Sequence, residues 1–158
     1  MLMPVNQTLL NVPVSSLEFR RLIAVLPATT VGQAVAEMRR QRLGCVVVVR
    51  DGGRPQGMYT ERLLLKMLLK NPDGLAEPVG RHMTTSCPSV AKDETIAQLI
   101  DRMERGKLRF LCVIDEQGKA EAIVGQKAVV AYLAEQFPRE VKVQVIGSKM
   151  HMDQREGA

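Results

Sequence analysis

A chain of 158 residues with 46% apolar and 25% charged side chains has the composition of a globular protein, long enough for one substantial domain or two small ones around a shared core. Aromatic residues make up only 3%, with no Trp, so valine, leucine and methionine must fill the interior, and the base-stacking platforms of single-stranded nucleic-acid binders are missing. The net charge of +5 comes from scattered residues (Arg20-Arg21, Arg39-Arg40, Arg42, Arg102, Arg105, Lys107) rather than a basic arm, which argues against a nucleic-acid partner.

The chain starts Met1-Leu2-Met3-Pro4, without the basic and apolar regions of a secretory signal, and holds no run of about 18 apolar residues. No membrane association is expected. Its three cysteines, Cys45, Cys87 and Cys112, form neither a metal-type pair nor an even disulfide set, and Cys45 and Cys112 lie in apolar runs where a thiol acts as a small hydrophobe. The expected compartment is the reducing cytoplasm.

Residues 1–13 read as an extension whose Leu9, Leu10 and Val12 lean on the main body as a short helix or strand. A first unit, 14–78, begins with an extended lead-in, Ser16–Val25. Val31, Ala34, Val35 and Met38 recur at helical spacing, behind a capping-box pattern from Thr30 to Gln33. Gly44 lies near the helix exit, where a left-handed cap is expected. Cys45–Arg50 is a continuous apolar run suited to a strand covered on both faces. Asp51-Gly52-Gly53 signals a tight turn into a second strand, Pro55–Tyr59, and a helix over Glu61–Lys70 follows. In that helix Leu63, Leu64, Leu65, Met67, Leu68 and Leu69 leave only Lys66 and Lys70 polar in its body. Such a helix should be buried on more than one side, so a homodimer through this helix and the helix over 126–136 is expected; packing of the two against each other within the chain is the alternative, and the two are compatible.

After the breaker-rich linker Asn71-Pro72-Asp73-Gly74, a second unit, 79–137, repeats the first at an offset of 65 positions. Its lead-in is Arg81–Val90. Ile96, Leu99, Ile100 and Met103 mark a helix behind Thr95-x-x-Gln98, with Gly106 near its exit. Strands over Arg109–Asp115 and Lys119–Val124 flank the turn Asp115-Glu116-Gln117-Gly118, and the last helix spans Gln126–Gln136. Literal identities between the units are few, but apolar positions coincide almost throughout. Residues 138–158 read as a partly disordered extension, in which Val141–Ile146 has strand alternation and Lys149–Ala158 is polar. The expected architecture is α/β of the α+β kind: a tandem pair of β-α-β-β-α units with pseudo-two-fold symmetry.

Two local signatures sharpen this reading. Val79-Gly80-Arg81-His82-Met83-Thr84 and Gly57-Met58-Tyr59-Thr60-Glu61-Arg62, within a tandem repeat, resemble the opening and the strand-to-helix junction of the cystathionine-β-synthase (CBS) domain pair, or Bateman module. The resemblance covers about residues 14–137. It implies a regulatory, signal-transducing module, not an enzyme, that binds AMP, ADP, ATP or S-adenosylmethionine between its repeats, dimerises, and modulates an unidentified effector protein. No obligatory cofactor or metal is implied. Helix N-termini suit phosphate, a junction hydroxyl adds a donor, and an Asp accepts from the ribose hydroxyls.

This chain departs from that pattern. The ribose Asp position is Leu63 in the first unit, and the second unit carries Gly125 and Ala128 where the hydroxyl and the Asp would stand. Losing such a charge-assisted bond costs about 1.5–3 kcal/mol, or roughly ten- to a hundred-fold in affinity. The residues expected to contribute are Thr60, Arg62, Met58 and the lead-in Leu22, Ile23 and Ala24 at the better-preserved first site, with Thr84, Cys87, Ser89, Arg109 and Lys127 at the second. Thr60 doubles as an ordinary N-cap, and Arg62 and Lys127 as solvated charges. A constitutive dimerisation or docking module with a decayed site is the alternative. His82 and His151 are the only imidazoles, Asp93-Glu94 suits a helix dipole, and no nucleophile elbow, metal-binding or nucleotide-loop motif occurs, which speaks against catalysis.

Overall fold

A computed structural model describes residues 10–136. The strand expectation for Val141–Ile146, the disordered tail Lys149–Ala158, Leu9 and His151 lie outside the described residues. The first unit contains β1 (Arg20–Arg21), β2 (Ala24–Val25), α1 (Val31–Gln41), β3 (Cys45–Arg50), β4 (Arg54–Thr60) and α2 (Glu61–Lys70); the second contains β5 (Ser89–Ala91), α3 (Ile96–Gly106), β6 (Phe110–Ile114), β7 (Ala120–Gly125) and α4 (Gln126–Gln136). This is the expected α+β tandem pair.

Both capping boxes form. Thr30 and Thr95 accept from the amides of Gln33 and Gln98, whose side chains accept in return from the threonine amides. The glycine caps do not. Arg42 and Lys107, each at φ 51, take the left-handed position that ends α1 and α3. Gly44 is needed for another reason, close packing, described below. The turn glycines behave as expected, with Gly52, Gly53 and Gly118 all at positive φ.

The chain forms two sheets, in the orders β2-β3-β4 and β1-β7-β6-β5. Corresponding irregularities interrupt both hairpins, between Val48 and Val49 and between Val113 and Ile114. The duplication thus extends to backbone detail.

The lead-in segments differ from the expectation of one continuous strand per unit. Ser16–Val25 breaks into β1, paired antiparallel with β7 of the second unit, and β2, paired parallel with β3 of the first. The reason is that each lead-in begins on the other unit. Val14 donates its amide to the Glu94 carbonyl at 2.7 Å, and Val79 donates to the Thr29 carbonyl at 2.7 Å; Ile96 donates to Val12, and Val31 to Glu77, both at 2.9 Å. These bonds match one another at the repeat offset. Val14 and Leu17 are buried in the second unit's core, beside Leu10 and Val12, and Val79 is buried in the first unit's core. The expectation that the N-terminal extension leans on the body holds for its described part, and the surface it leans on is the second unit's.

The first unit's core, built on Val46, Val47, Val48 and Tyr59, takes in Cys112 and Ile123 from the facing sheet, so the two units share an interior. Met83 and Thr84 close the crossing. The Met58 amide donates to the Thr84 hydroxyl at 2.9 Å, and a Cβ on Gly57 would fall 2.6 Å from both the Met83 sulfur and the Thr84 carbonyl.

Helix α2 is less covered than its composition suggests. Met67 is buried and Leu63, Leu64 and Leu68 are half-buried, but Leu65 and Leu69 are 65% and 88% exposed. Among the described residues, no other element covers that outer face.

Carboxylates clamp the loops around this frame. Glu94 accepts from the Ala91 amide at 2.7 Å and from Arg102, whose guanidinium also donates to the Ser89 carbonyl at 2.8 Å. The Arg102 guanidinium holds the Glu94 carboxyl below its ordinary range. Glu77, held low mainly by His82, joins the linker to the second lead-in through a 2.5 Å contact. Because these groups are more acidic when folded, their contribution to stability is complete above the ordinary carboxylate value and is lost as pH falls through it towards the lower folded value. Urea unfolding as a function of pH should therefore show stability falling on the acid side of pH 5 (roughly, for carboxylates), with a shallower fall in Glu94→Gln; an unchanged acid slope in that variant would refute the clamp.

Candidate functional site

Where the two units meet, the structure forms a cleft of about 770 Å³. Its walls are α1 (Val35, Met38, Arg39, Arg42), the starts of α2 and α4 (Glu61, Leu64, Lys127, Ala128), the strand edge Arg109-Phe110, and Glu18 and Arg20 from the lead-in. The local sequence explains this shape. At both strand-to-helix junctions the chain passes from a buried strand straight into a helix, and the first helical amide is taken up by the start of the neighbouring strand. Glu61 donates to the Gly44 carbonyl at 3.1 Å, and Gln126 to the Arg109 carbonyl at 3.0 Å. Two helix N-termini thus open on the same space, where their positive dipole ends favour anions.

Phe110 breaks the symmetry of the cleft. Its repeat counterpart is Cys45, and its half-buried ring is accommodated by glycines on either side. A Cβ on Gly44 would lie 3.1 Å from the Phe110 ring and 3.2 Å from the Glu61 carboxylate, and one on Gly125 would lie 3.3 Å from the ring. Gly125 therefore replaces the junction hydroxyl because the aromatic edge takes the room a side chain would need. Sequence reasoning missed Phe110. Its signal was the pairing of an unusual aromatic strand start with two glycines at junctions that differ from their repeat counterparts.

The lining carries Arg20, Arg39, Arg42, Arg109 and Lys127 against Glu18 and Glu61, a clear positive excess. Arg20 is already engaged, donating to the carbonyls of Gln41 and Arg42 at 3.3 and 2.9 Å and so capping α1. Among the described residues, the ion pairs involve none of Arg39, Arg42, Arg109 and Lys127.

Of the residues singled out in the sequence, Arg109 and Lys127 line this cleft. The others lie elsewhere. Thr60 caps α2 by accepting from the Leu63 amide at 3.3 Å, and Arg62 is exposed on the same helix. Met58 and Ile23 are buried core residues, Leu22 packs against that core, and Ala24 is exposed on β2. The Thr84 hydroxyl is spent on the Met58 amide and the Ser86 carbonyl, and the Ser89 hydroxyl donates to the Cys87 carbonyl at 3.0 Å. The structure thus places the open corner at the second unit's junction, while Met83 and Thr84 fill the space beside the first unit's β4. Among the described residues no group of His, Cys, Asp and Glu is arranged to hold a metal ion, and no helix is long and apolar enough to cross a membrane.

The family model of the CBS domain matches residues 14–70 and again 79–135. The chain belongs to the CBS-domain family. An uncharacterized 17.7 kDa protein of Acidianus ambivalens is 32% identical over 111 residues, covering 70% of this chain and 66% of that protein. An uncharacterized protein of Helicobacter pylori is 27% identical over 68% of this chain, which spans only 33% of its length. Among solved structures, a CBS-domain containing protein from Agrobacterium tumefaciens superposes with a TM-score of 0.68 at 27% identity, covering 75% of this chain and 96% of the other. A CBS domain protein from Pyrobaculum aerophilum, solved in complex with AMP, gives 0.71 at 22% identity over 78% and 97%. A CBS domain pair solved with 5′-methylthioadenosine and S-adenosyl-L-methionine gives 0.72 at 15% over 80% and 98%. Both CBS repeats are therefore present, and the fold is that of the tandem pair.

The positive lining has a direct consequence. Inorganic pyrophosphate at low ionic strength should raise the melting temperature, and the shift should shrink as salt shortens the screening length. Arg109→Glu combined with Lys127→Glu should remove it; an equal shift in the double variant would show that the anion binds elsewhere.

Proposed function

We propose that this CBS-domain protein is a regulatory module that takes an adenine nucleotide into the cleft between its repeats and, on binding, alters the activity of a partner protein in the cytoplasm. The observation that carries the reading is the cleft itself, bounded by two helix N-termini, four arginines and a lysine, with Phe110 offering an aromatic edge to a purine. The ligands of the two structural neighbours, AMP in one and methylthioadenosine with S-adenosylmethionine in the other, support an adenosine-type ligand. The absence of a ribose carboxylate at Leu63 and Ala128 sets the expectation of weak binding that depends on the phosphates. Calorimetric titration with AMP, ATP and S-adenosylmethionine should give heat for the phosphorylated ligands, reduced by Arg109→Glu. No heat and no melting shift at millimolar ligand would end the nucleotide reading.

A second reading has its own observation. Leu63 and Ala128 remove both carboxylates, and Gly125 one of the two hydroxyls, that the resemblance assigns to nucleotide recognition, which suits a docking module whose ligand site has decayed. If Leu63→Asp creates strong nucleotide binding where the natural chain has none, that second reading stands.

The module is further proposed to act as a homodimer through α2 and α4. Leu65 and Leu69 on α2 and Val130 on α4, itself 65% exposed, supply apolar area that a monomer leaves in water. Leu65→Asp with Leu69→Asp should halve the particle mass in light scattering without loss of helical signal; an unchanged mass would sink the dimer surface.

A further inference from the structure

The end of α1 carries more positive charge than the helix needs. Arg39, in the last turn, and Arg42, the left-handed C-cap, both line the cleft. Cations at this end complement the helix dipole. Arg20 already meets that need, because its guanidinium donates to the carbonyls of Gln41 and Arg42. The second unit shows the same position with no cleft to serve. At the repeat offset, Glu104 and Lys107 are the counterparts of Arg39 and Arg42, and they pair with each other at 3.4 Å. Neither of them lines the cleft.

This contrast has two consequences. The Glu104–Lys107 contact shows that side chains at these two positions converge, so Arg39 and Arg42 can close on one anionic group. The first unit also lacks the internal neutralisation of the second, and like charges at this helical spacing repel. Among the described residues neither arginine enters an ion pair, and the two carboxylates of the lining, Glu18 and Glu61, pair with neither. Arg109 and Lys127 border the same cleft from the second unit. The cleft does not end at the α1 arginines, which also border an outer groove over Gly32, Val35 and Ala36.

We propose that Arg39 and Arg42 form a subsite for the distal phosphates of a phosphate chain whose proximal end is held by Arg109 and Lys127, so that the cleft selects its ligand by phosphate number. This deepens the nucleotide reading and rests on it for the adenosine end only. A monophosphate engages the junction cations alone. A triphosphate extends to the α1 pair, where two guanidinium forks suit phosphate oxygens and lose their mutual repulsion. It also ties the units together, since one pair of cations belongs to each.

The test is calorimetric titration of the full-length chain with AMP, ATP and inorganic tripolyphosphate, without divalent cations and at physiological salt, where long-range attraction is screened. ATP should bind at least about tenfold more tightly than AMP, the worth of one added charge-assisted contact, and tripolyphosphate should displace it. Arg39→Glu gives the first unit the pairing of the second, an arrangement this fold already carries. It should bring ATP down to the affinity of AMP and leave AMP unchanged. Arg50→Glu, the same change of charge at the far end of β3, should keep the preference. Equal affinities for AMP and ATP in the natural chain, a preference that survives Arg39→Glu, or one lost equally in Arg50→Glu would each overturn the proposal. Tripolyphosphate binding that depends on Arg39, with neither nucleotide bound, upholds the phosphate subsite and removes the adenosine reading. Nucleotide binding that ignores phosphate number does the reverse, and silence from all three ligands removes both.

Discussion

The whole arrangement depends on the reciprocal docking of the lead-in segments. Each repeat receives its first turn of backbone bonding, and part of its apolar core, from the segment that introduces the other: Val14 and Leu17 fill the second unit, and Val79 fills the first. Without Val12 and Glu77 the first amides of α3 and α1 would lose their acceptors, and a buried backbone group left unpaired is costly. The cleft follows from this constraint. Crossing from one unit to the other brings Glu18 and Arg20 against the start of α4 and places the two helix N-termini on one opening.

Within that frame the two halves have drifted apart where chemistry would happen. The symmetric element is the backbone: Gly44 and Arg109 hold equivalent carbonyls for Glu61 and Gln126. The asymmetric element is the side chains around them. A phenylalanine stands where the other copy has Cys45, and glycines appear on both sides of its ring because no Cβ fits there without displacing it. One corner is left open and cationic, while at the other Met83 lies against Gly57 and Thr84 binds Met58.

Much of the fold could be read from the chain because its signals are local. The spacing of Ile96, Leu99 and Met103, the threonine and glutamine of each capping box, and the valine run Val46–Val49 depend on near neighbours alone, and all behave as read. What could not be read was non-local. Nothing in Ser16–Val25 announces that its first part pairs with β7, more than a hundred positions away in the chain, and its second part with β3. The C-caps were misread because Gly44 looked like a helix terminator, whereas Arg42 accepts the left-handed conformation and Gly44 is kept small by Phe110 and Glu61. The candidate site was only partly legible for the same reason. Arg109 and Lys127 stand at recognisable junction positions, but Arg39 and Arg42 come from a helix whose outward face shows its role only once the opposite unit is in place.

The exchanged segments also bear on how such a chain could arise. If the linker Asn71–Gly74 is removed in thought, the bonds from Val14 to Glu94 and from Val79 to Thr29 become the same contact made twice between two equal partners. That is the bonding of a strand-swapped pair of single-repeat chains. Joining two such chains end to end turns an association that depends on concentration into an intramolecular one, and it frees each half to differ from the other.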